Sequence, residues 1–360
     1  MSRISAGSIT DVAGIRVGQH HRLDPDATMG SGWACGSTVV VTPPGTVGAV
    51  DVRGGAPGSR ETDLLDPSNS IRYVDAIVLT GGSAYGLAAA DGVMTWLEEN
   101  DRGVAMDGGL VPIVPAAVIF DLPVGGWGCR PTAEFGYLAA AAATAGAPAT
   151  GTVGAGVGAR AGVLKGGLGS ASTTIVIEGA TVTVGAIVAV NSAGNVVDPA
   201  TGLPWMAHLI AAFGLTPPAA DEITGFAALE LEKSPLNTTI AVVATDAVLS
   251  KAACRRLAIA AQDGLAHTIR PAHTPLDGDT VFALATGAVE VPPEADIPAS
   301  MSPETKLTAK LGAAAADVLA HAVLDAVLAA ESIAGIPTYR DMLPSAFGVG
   351  PGPGTGEAGV

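Results

Sequence analysis

The chain contains few aromatic residues, few charged residues and few cysteines. Aromatic side chains make up 4% of its 360 residues and charged ones 14%, and the only cysteines are Cys35, Cys129 and Cys254. The cysteines are odd in number and widely spaced, which favours a reducing compartment and argues against a disulfide framework or a zinc site. No apolar run approaches the roughly 20 residues that span a bilayer. The first residues lack the apolar core of a secretory signal. We expect a cytoplasmic protein with no membrane segment, metal or cofactor.

Basic residues are also scarce. Lys and Arg number 18 against 34 Asp and Glu, and the net charge is −16. This balance disfavours nucleic acid and anionic membranes as partners. Hydrophobic residues, in contrast, make up 48% of the chain, and there are 48 glycines. The composition therefore predicts a large core of closely packed layers.

Apolar periodicity predicts one compact α/β unit without internal repeats. The predicted strands cover residues 9–17, 37–42, 45–51, 75–80, 173–178, 181–190, 238–246 and 281–285, and the predicted helices cover residues 84–99, 249–262 and 303–333. The tail over residues 346–360 is rich in Pro and Gly, and we expect it to be disordered.

Two glycine-rich segments raise the question of an anion site. Gly81-Gly82-Ser83 connects a predicted strand to a helix, so its free N–H groups suit an anion or an oxyanion, although the glycines equally suit tight strand–helix packing. The Gly/Ala tract over residues 145–172 has Gly-x-Gly spacing without the full dinucleotide fingerprint or its acidic residue. A dinucleotide-binding fold is therefore not favoured.

The junction between Asn237 and Thr238 suggests a catalytic nucleophile. A proline-containing loop ends there, and Thr238 stands at the start of an apolar, β-branched run. If the Asn237–Thr238 bond were cut, Thr238 would carry a hydroxyl nucleophile and, in its own α-amine, a base. An ordinary loop-to-strand junction is one alternative. A glycosylation sequon over Asn237, Thr238 and Thr239 is another, and it requires a secreted protein.

Four other polar residues are candidates for the same site. Lys165 is the one lysine within a glycine-rich, otherwise uncharged segment, where an ammonium is costly without a carboxylate partner or a function. Asn191 ends a strand and has an amide that suits a developing oxyanion. Asp277 and Asp279 flank a glycine, so both can approach one cation, either Lys165 or the new amine of Thr238. A surface ion pair and two turns are the structural alternatives.

These residues resemble the L-aminopeptidase/D-esterase family, which includes β-peptidyl aminopeptidases and nylon-oligomer hydrolases. The resemblance covers residues 8–345. Within the family, the chain is most similar to the nylon-oligomer hydrolase branch, in which the nucleophile is Thr. The motifs that carry it are Ile9-Thr10-Asp11-Val12-Ala13-Gly14-Ile15-Arg16-Val17-Gly18, Thr80-Gly81-Gly82-Ser83-Ala84-Tyr85-Gly86-Leu87, Asn237-Thr238-Thr239-Ile240-Ala241-Val242 and Leu276-Asp277-Gly278-Asp279-Thr280.

The resemblance implies an αββα sandwich similar to that of N-terminal-nucleophile hydrolases, with different strand connections. It also implies self-cleavage before the nucleophile, so that residues 1–237 and 238–360 become two segments of one catalytic domain. Assembly into homotetramers or larger rings is a third implication.

The family's site residues carry over by motif. Thr238 matches the nucleophile, and Asn237–Thr238 the cleavage site. Lys165 and Asn191 match positions that flank the nucleophile, although Asn195 lies only four residues after Asn191. Asp277 and Asp279 match the pair that orients the amine. Tyr137 is a further candidate without a firm place in the site.

Three functions remain open from the sequence. The first is a self-cleaved N-terminal-threonine amidohydrolase or aminopeptidase that acts on small amides or peptides through an acyl-enzyme on Thr238. The second is an acyltransferase of the ornithine acetyltransferase type, in which an amine takes the acyl group. The third is a non-catalytic scaffold of the same fold.

Overall fold

Two five-stranded sheets stacked face to face form the centre of the protein. The structure, a computed structural model, describes residues 7–229, 236–293 and 297–348. Its strands are β1 (Arg16–Leu23), β2 (Ala34–Val41), β3 (Val47–Val52), β4 (Ser59–Arg60), β5 (Ala76–Thr80), β6 (Val104–Met106), β7 (Gly109–Val111), β8 (Ala116–Val118), β9 (Arg160–Ala161), β10 (Leu164–Lys165), β11 (Gly167–Ile177), β12 (Ala180–Val190), β13 (Ile240–Ala247) and β14 (Thr280–Val289). Its α-helices are α1 (Ser83–Gly86), α2 (Ala89–Glu99), α3 (Ala133–Ala141), α4 (Ala207–Phe213), α5 (Ala220–Ala227), α6 (Lys251–Thr268), α7 (Thr305–Leu328) and α8 (Tyr339–Met342).

The strand order differs between the two sheets. The first sheet runs β1-β2-β5-β8-β4, and the second runs β11-β12-β13-β14-β3. In the second sheet β13 pairs antiparallel with β12 and parallel with β14. The remaining short strands form two hairpins, β6–β7 and β9–β10.

Three apolar layers separate four layers of secondary structure. Side chains from both sheets, such as Leu79 and Val242, form the central layer. Helices α2 and α3 cover the outer face of the first sheet, and α6 and α7 cover the outer face of the second. This arrangement confirms the αββα sandwich that the resemblance implies.

The first five residues of strand β13, 240–244, are all apolar. Ile240, Val242 and Ala244 face the layer between the sheets, whereas Ala241 and Val243 face α6 and α7. Because both faces of this central strand are buried, the alternation of apolar and polar residues that marks a one-sided strand is absent. The end of this strand is thereby held rigidly in place.

Several predicted elements differ from the structure. Instead of a strand over residues 9–17, Ile9–Asp11 forms a 3-10 helix and β1 begins at Arg16, since Gly14 turns the chain at a φ of +84°. The predicted helix over residues 84–99 is divided into α1 and α2. The expected disordered tail begins inside a 3-10 helix, Pro344–Phe347, and its first residue, Ala346, is fully buried. Residues 349–360 lie outside the described residues.

Helix α7 corrects the expectation that no apolar run approaches the length of a membrane span. Within the described ranges it is the one helix long and apolar enough to cross a membrane, with a mean hydropathy of 1.7, yet 78% of the apolar window is buried inside the protein. It packs against β11, β12 and α6. Its apolar composition therefore has a structural cause, because it serves two buried interfaces.

Candidate active site

The sequence-predicted site residues come together at one end of the second sheet. Gly167 pairs with Val190, so Lys165 precedes β11 beside the end of β12. Ile240 pairs with Ala189 on one side and with Thr280 on the other. The register therefore places five candidates at the same edge: Lys165, Asn191, Thr238, Asp277 and Asp279.

The bond between Asn237 and Thr238 is buried. Thr238 is 3% exposed and Asn237 6%. The hydroxyl of Thr238 donates a short hydrogen bond to the carbonyl oxygen of Asn237, and the N–H of Gly278 donates to the same oxygen at 3.0 Å. The N–H of Thr238 donates to the carbonyl of Asn191 at 2.6 Å. A carbonyl with two donors is polarised, and the hydroxyl lies directly beside it.

Asn237 is held as an extension of β13. It forms a parallel bridge with Asp277, and its N–H donates to the carbonyl of Leu276 at 2.9 Å. The adjacent Gly278 leaves the space that the threonine occupies, because a β-carbon there would lie 2.7 Å from the Thr238 hydroxyl oxygen and 2.7 Å from the carbonyl of Ala56. The backbone over residues 276–278 thus fixes the position of the threonine.

Lys165 has no exposed surface. Its ammonium donates to the carbonyls of Gly156 at 2.9 Å and Gly166 at 2.8 Å. Desolvation lowers the pKa of Lys165 from 10.5 to about 7, and the nearby carboxylate of Asp121 opposes that lowering. An amine whose pKa lies near neutrality can change its protonation state during a reaction.

Asp121 is a site residue that the sequence analysis missed. It is 3% exposed, and burial raises its pKa to about 7 while the N–H of Gly82 and the charge of Lys165 act in the opposite direction. Oδ1 accepts from the N–H of Gly82 at 2.6 Å, and Oδ2 is buried without a hydrogen-bond partner among the described residues. The nest predicted at Gly81-Gly82-Ser83 supplies one N–H to this carboxylate, that of Gly82, because the N–H groups of Gly81 and Ser83 donate to the carbonyls of Gly36 and Ile119. That nest was the sequence signal for an anion in this place.

The two aspartates before β14 bind other groups than Lys165. Asp277 accepts from the N–H of Ala193 at 3.0 Å and from the N–H and hydroxyl of Thr274 at 3.1 and 2.6 Å, and burial raises its pKa. Asp279 accepts from the N–H of Thr239 at 2.8 Å, and its other oxygen lies 2.8 Å from the ring Nδ1 of His273. The carboxylate that acts on Lys165 is that of Asp121. Of the two cations that the sequence left open for Asp277 and Asp279, the amine of Thr238 remains. His273 is a second residue that the sequence analysis missed.

The remaining candidates have different positions. The amide of Asn191 donates to the carbonyl of Phe120 at 3.1 Å and accepts from the N–H of Arg160 at 2.9 Å. Asn195 accepts from the N–H of Val163 at 3.3 Å and pairs with Arg270 through its backbone. Tyr137 lies on α3 and donates to Glu99 at 2.7 Å, so its hydroxyl is engaged on the outer side of the first sheet. In the described ranges no group of three or more His, Cys, Asp or Glu is arranged to hold a metal.

Comparison with known proteins identifies the family. The model of peptidase family S58 matches residues 7–340. The chain belongs to this family. It is 70% identical over 345 residues to an uncharacterised aminopeptidase of Mycobacterium tuberculosis (strain H37Rv), covering 95% of this chain and 99% of the relative. It is 31% identical over 327 residues to the 6-aminohexanoate-oligomer endohydrolase of Kocuria sp. (strain KY2), covering 88% and 84%.

A solved structure shares the fold. The L-aminopeptidase D-Ala-esterase/amidase of Ochrobactrum anthropi, described as a variant of the Ntn hydrolase fold, matches with a TM-score of 0.68 at 22% identity, covering 93% of this chain and 89% of that structure. The resemblance to the L-aminopeptidase/D-esterase family is thus confirmed. This S58 protein is a hydrolase that acts on peptide or amide bonds.

Proposed function

We propose that this S58 protein is a self-cleaved N-terminal-threonine amidohydrolase whose nucleophile is Thr238. One observation carries the proposal. The Thr238 hydroxyl is hydrogen-bonded to the carbonyl oxygen of Asn237, the group it would attack, and the N–H of Gly278 is the second donor to that oxygen. The reacting groups are thus preorganised at a buried and rigid strand end.

Self-cleavage follows from that geometry in two steps. The Thr238 oxygen attacks the Asn237 carbonyl carbon, and the Gly278 N–H stabilises the oxyanion. The bond from that carbon to the Thr238 nitrogen then breaks, which transfers the acyl group to the oxygen as an ester and leaves the nitrogen as an amine. Water hydrolyses the ester. The products are a carboxylate at Asn237 and a threonine with a free amine and hydroxyl.

The exposed threonine then acts on external amides. Its amine takes the hydroxyl proton, the oxygen attacks the substrate carbonyl, and water releases the acyl group from Thr238. In this proposal Lys165 and Asn191 stabilise charge on the reacting oxygens, and Asp277 and Asp279 orient the amine. The relatives' names, aminopeptidase and 6-aminohexanoate-oligomer endohydrolase, support small amides or short peptides as substrates.

A denaturing gel with intact-mass measurement tests the proposal. The purified protein should give fragments of residues 1–237 and 238–360 that remain associated under native conditions. Thr238→Val, which keeps the shape and removes the hydroxyl, should give one band. Thr239→Val is the matched control, because the neighbouring hydroxyl is buried without a hydrogen-bond partner in the described structure. Cleavage of Thr238→Val at the same bond would exclude the mechanism.

Two further parts of the proposal have their own measurements. Assembly into homotetramers or larger rings is measured by light scattering of the processed protein. Hydrolysis is separated from acyl transfer by adding amines. Acyl products that grow with amine concentration at the expense of free acid would favour the acyltransferase.

A further inference from the structure

His273 makes two hydrogen bonds to one oxygen of Asp279. Its backbone N–H donates to Oδ2 at 3.0 Å, and its ring Nδ1 lies 2.8 Å from the same oxygen. Both oxygens of Asp279 accept backbone N–H groups, as an ionised carboxylate does, so Nδ1 is assigned as the donor. The other ring nitrogen, Nε2, is buried without a hydrogen-bond partner among the described residues. Asp279 is therefore the hydrogen-bond partner that the structure gives to this ring.

The backbone of His273 has a conformation that residues with a side chain rarely adopt. Its φ is +55°, in the left-handed region, where the β-carbon crowds the following carbonyl oxygen. In this conformation the N–H and the ring of one residue reach a single oxygen six residues further along the chain. Strained residues persist where surrounding contacts hold them, and they cluster at functional sites. The strain therefore points to a function for the ring at Asp279.

Asp279 connects this histidine to the residue that we propose as nucleophile. Its Oδ1 accepts from the N–H of Thr239 at 2.8 Å, and Thr239 directly follows Thr238. The aspartate is 1% exposed, so donors of the protein, not bulk water, determine how its carboxylate is oriented. The N–H of Thr239 holds one oxygen and His273 holds the other. The proposed cut creates an amine on Thr238, one residue before the N–H that Asp279 already binds.

The neighbouring carboxylate, that of Asp277, has a different donor in the same loop. Thr274 donates its N–H and its hydroxyl to Asp277. The two carboxylates act on each other, because burial raises the pKa of Asp277 and the charge of Asp279 adds to this effect. A hydrogen bond donated to a carboxylate stabilises its charged form. Each aspartate thus has its own side-chain donor, and the donor of Asp279 is the ring of His273.

We infer that His273 is a positioning residue for amide hydrolysis, which acts through Asp279 on the amine of Thr238. Its ring keeps the Asp279 carboxylate charged and directed to the strand end, so that the amine donates to a fixed acceptor while its lone pair faces the hydroxyl of the same threonine. The ring itself contacts neither the substrate nor the reacting atoms. The inference rests on the proposed function, because the amine exists only after the cut.

Two substitutions isolate the side chain of His273. Glycine tolerates a positive φ and keeps the backbone N–H, so His273→Gly removes the ring donor alone. Asparagine also tolerates this conformation, and its amide places an N–H where Nδ1 now lies, so His273→Asn should retain the hydrogen bond to Asp279. The difference between the two variants therefore measures the effect of that hydrogen bond.

Self-cleavage and amide hydrolysis should respond differently to these variants. Because the amine does not exist before the cut, His273→Gly should cleave itself at the parental rate. On the processed protein, kcat for alanyl p-nitroanilide should fall on the order of 10- to 100-fold, the effect of one hydrogen bond to a charged group. KM should change little, because the ring does not contact the substrate, and His273→Asn should restore most of kcat. Equal slowing of both reactions in His273→Gly would assign the ring to the folding of its loop and overturn the inference.

A double-mutant cycle tests the route through Asp279. In the Asp279→Asn background the ring has no carboxylate to hold, so the addition of His273→Gly should leave kcat nearly unchanged. Acetylation of Thr238 by p-nitrophenyl acetate, followed by peptide mass, gives the same comparison where turnover of the anilide is slow. Effects of the two substitutions that multiply would show that they act independently and would overturn the inference.

The control is Glu178→Gly, which removes another side chain at a positive φ, +47°. Glu178 follows Ile177, the last residue of β11, whereas the site lies beside the first residue of that strand, Gly167. Both reactions should keep their parental rates in this variant. A parent that is not cut, or that reacts with neither probe after the cut, would contradict the proposed function and the inference together. A cut and active parent whose kcat is the same in His273→Gly would overturn the inference alone.

Discussion

Gly278→Ala should slow self-cleavage, because the added methyl group would occupy the space of the nucleophile. Its carbon would lie 2.7 Å from the Thr238 hydroxyl oxygen, whereas ordinary contact begins at 3.4 Å, and the carbonyl of Ala56 at 2.7 Å and the Cα of Pro57 at 3.0 Å block retreat on the other side. The hydroxyl or the backbone must therefore yield by about 0.7 Å. A misplacement of 1 Å can cost about 100-fold in rate, so we expect cleavage to slow by on the order of 10- to 100-fold.

The assay is the time course of fragment appearance after synthesis in a cell-free system, with thermal unfolding of the uncut chain measured in parallel. Overpacking of this kind costs about 1–3 kcal/mol of stability, so the variant should melt lower and still fold. Gly108→Ala is the control, since a β-carbon at Gly108 meets no atom within 4 Å. Parental cleavage rates in Gly278→Ala would show that the hydroxyl does not need its present position and would refute the reasoning.

Four further predictions concern charge. Lys165→Met should fold and cleave itself at least 100-fold more slowly, because one donor in such a site contributes about 2.7–4 kcal/mol. Burial lowers the pKa of Lys165 from 10.5 to about 7, so the ammonium is lost as the pH rises through that value. The parent's cleavage rate should therefore fall over the same pH range. A rate that rises instead would assign the neutral amine the role of base. Asp121→Asn removes the carboxylate that opposes the lowering of the Lys165 pKa. The fall in cleavage rate should therefore move to lower pH, and a fall at the same pH as in the parent would show that the two residues are not coupled. Amide hydrolysis should become faster as the pH rises and the Thr238 amine loses its proton. A carboxylate near this amine raises its pKa above the reference of about 7.7–8.0, so Asp279→Asn should move the rise in rate to lower pH. Identical pH profiles would remove Asp279 from the site.

The sequence predicted the long elements well for a physical reason. β13 is buried on both faces, so a continuous apolar run marks it, and the polar residues at its start stand out. The strand at residues 9–17 was wrong because its apolar residues serve a 3-10 turn that packs between the sheets, where no period of two applies. The sequence analysis also missed that α7 is as long and as apolar as a membrane-spanning helix. An alanine-rich helix packed inside a protein and a helix exposed to lipid have similar compositions, so composition alone does not distinguish them.

The partners of the charged groups were the least predictable part. Asp121 lies 44 residues before Lys165, and no motif connects them. Only the fold brings the loop after β8 beside the turn at β10. The spacing of Asp277 and Asp279 left two cations open, Lys165 and the amine of Thr238. In the structure Thr274 and His273 of the same loop bind the two carboxylates, because the loop brings these neighbours into place at little further cost in entropy.

The position of Thr238 within the second sheet has a consequence for the order of events during biosynthesis. A cut before Thr238 divides the sheet so that β11, β12 and β3 belong to the first fragment and β13 and β14 to the second. The second fragment's two strands lie between strands of the first, so neither fragment can form the sheet without the other. The Gly278 N–H and the Asn191 carbonyl, which hold the Asn237–Thr238 bond, reach it only after this sheet has assembled. Under the proposed mechanism cleavage therefore comes after folding. Each cut molecule would be a lasting record that its chain once reached the native arrangement, and the cut fraction in a cell would count successful folding events.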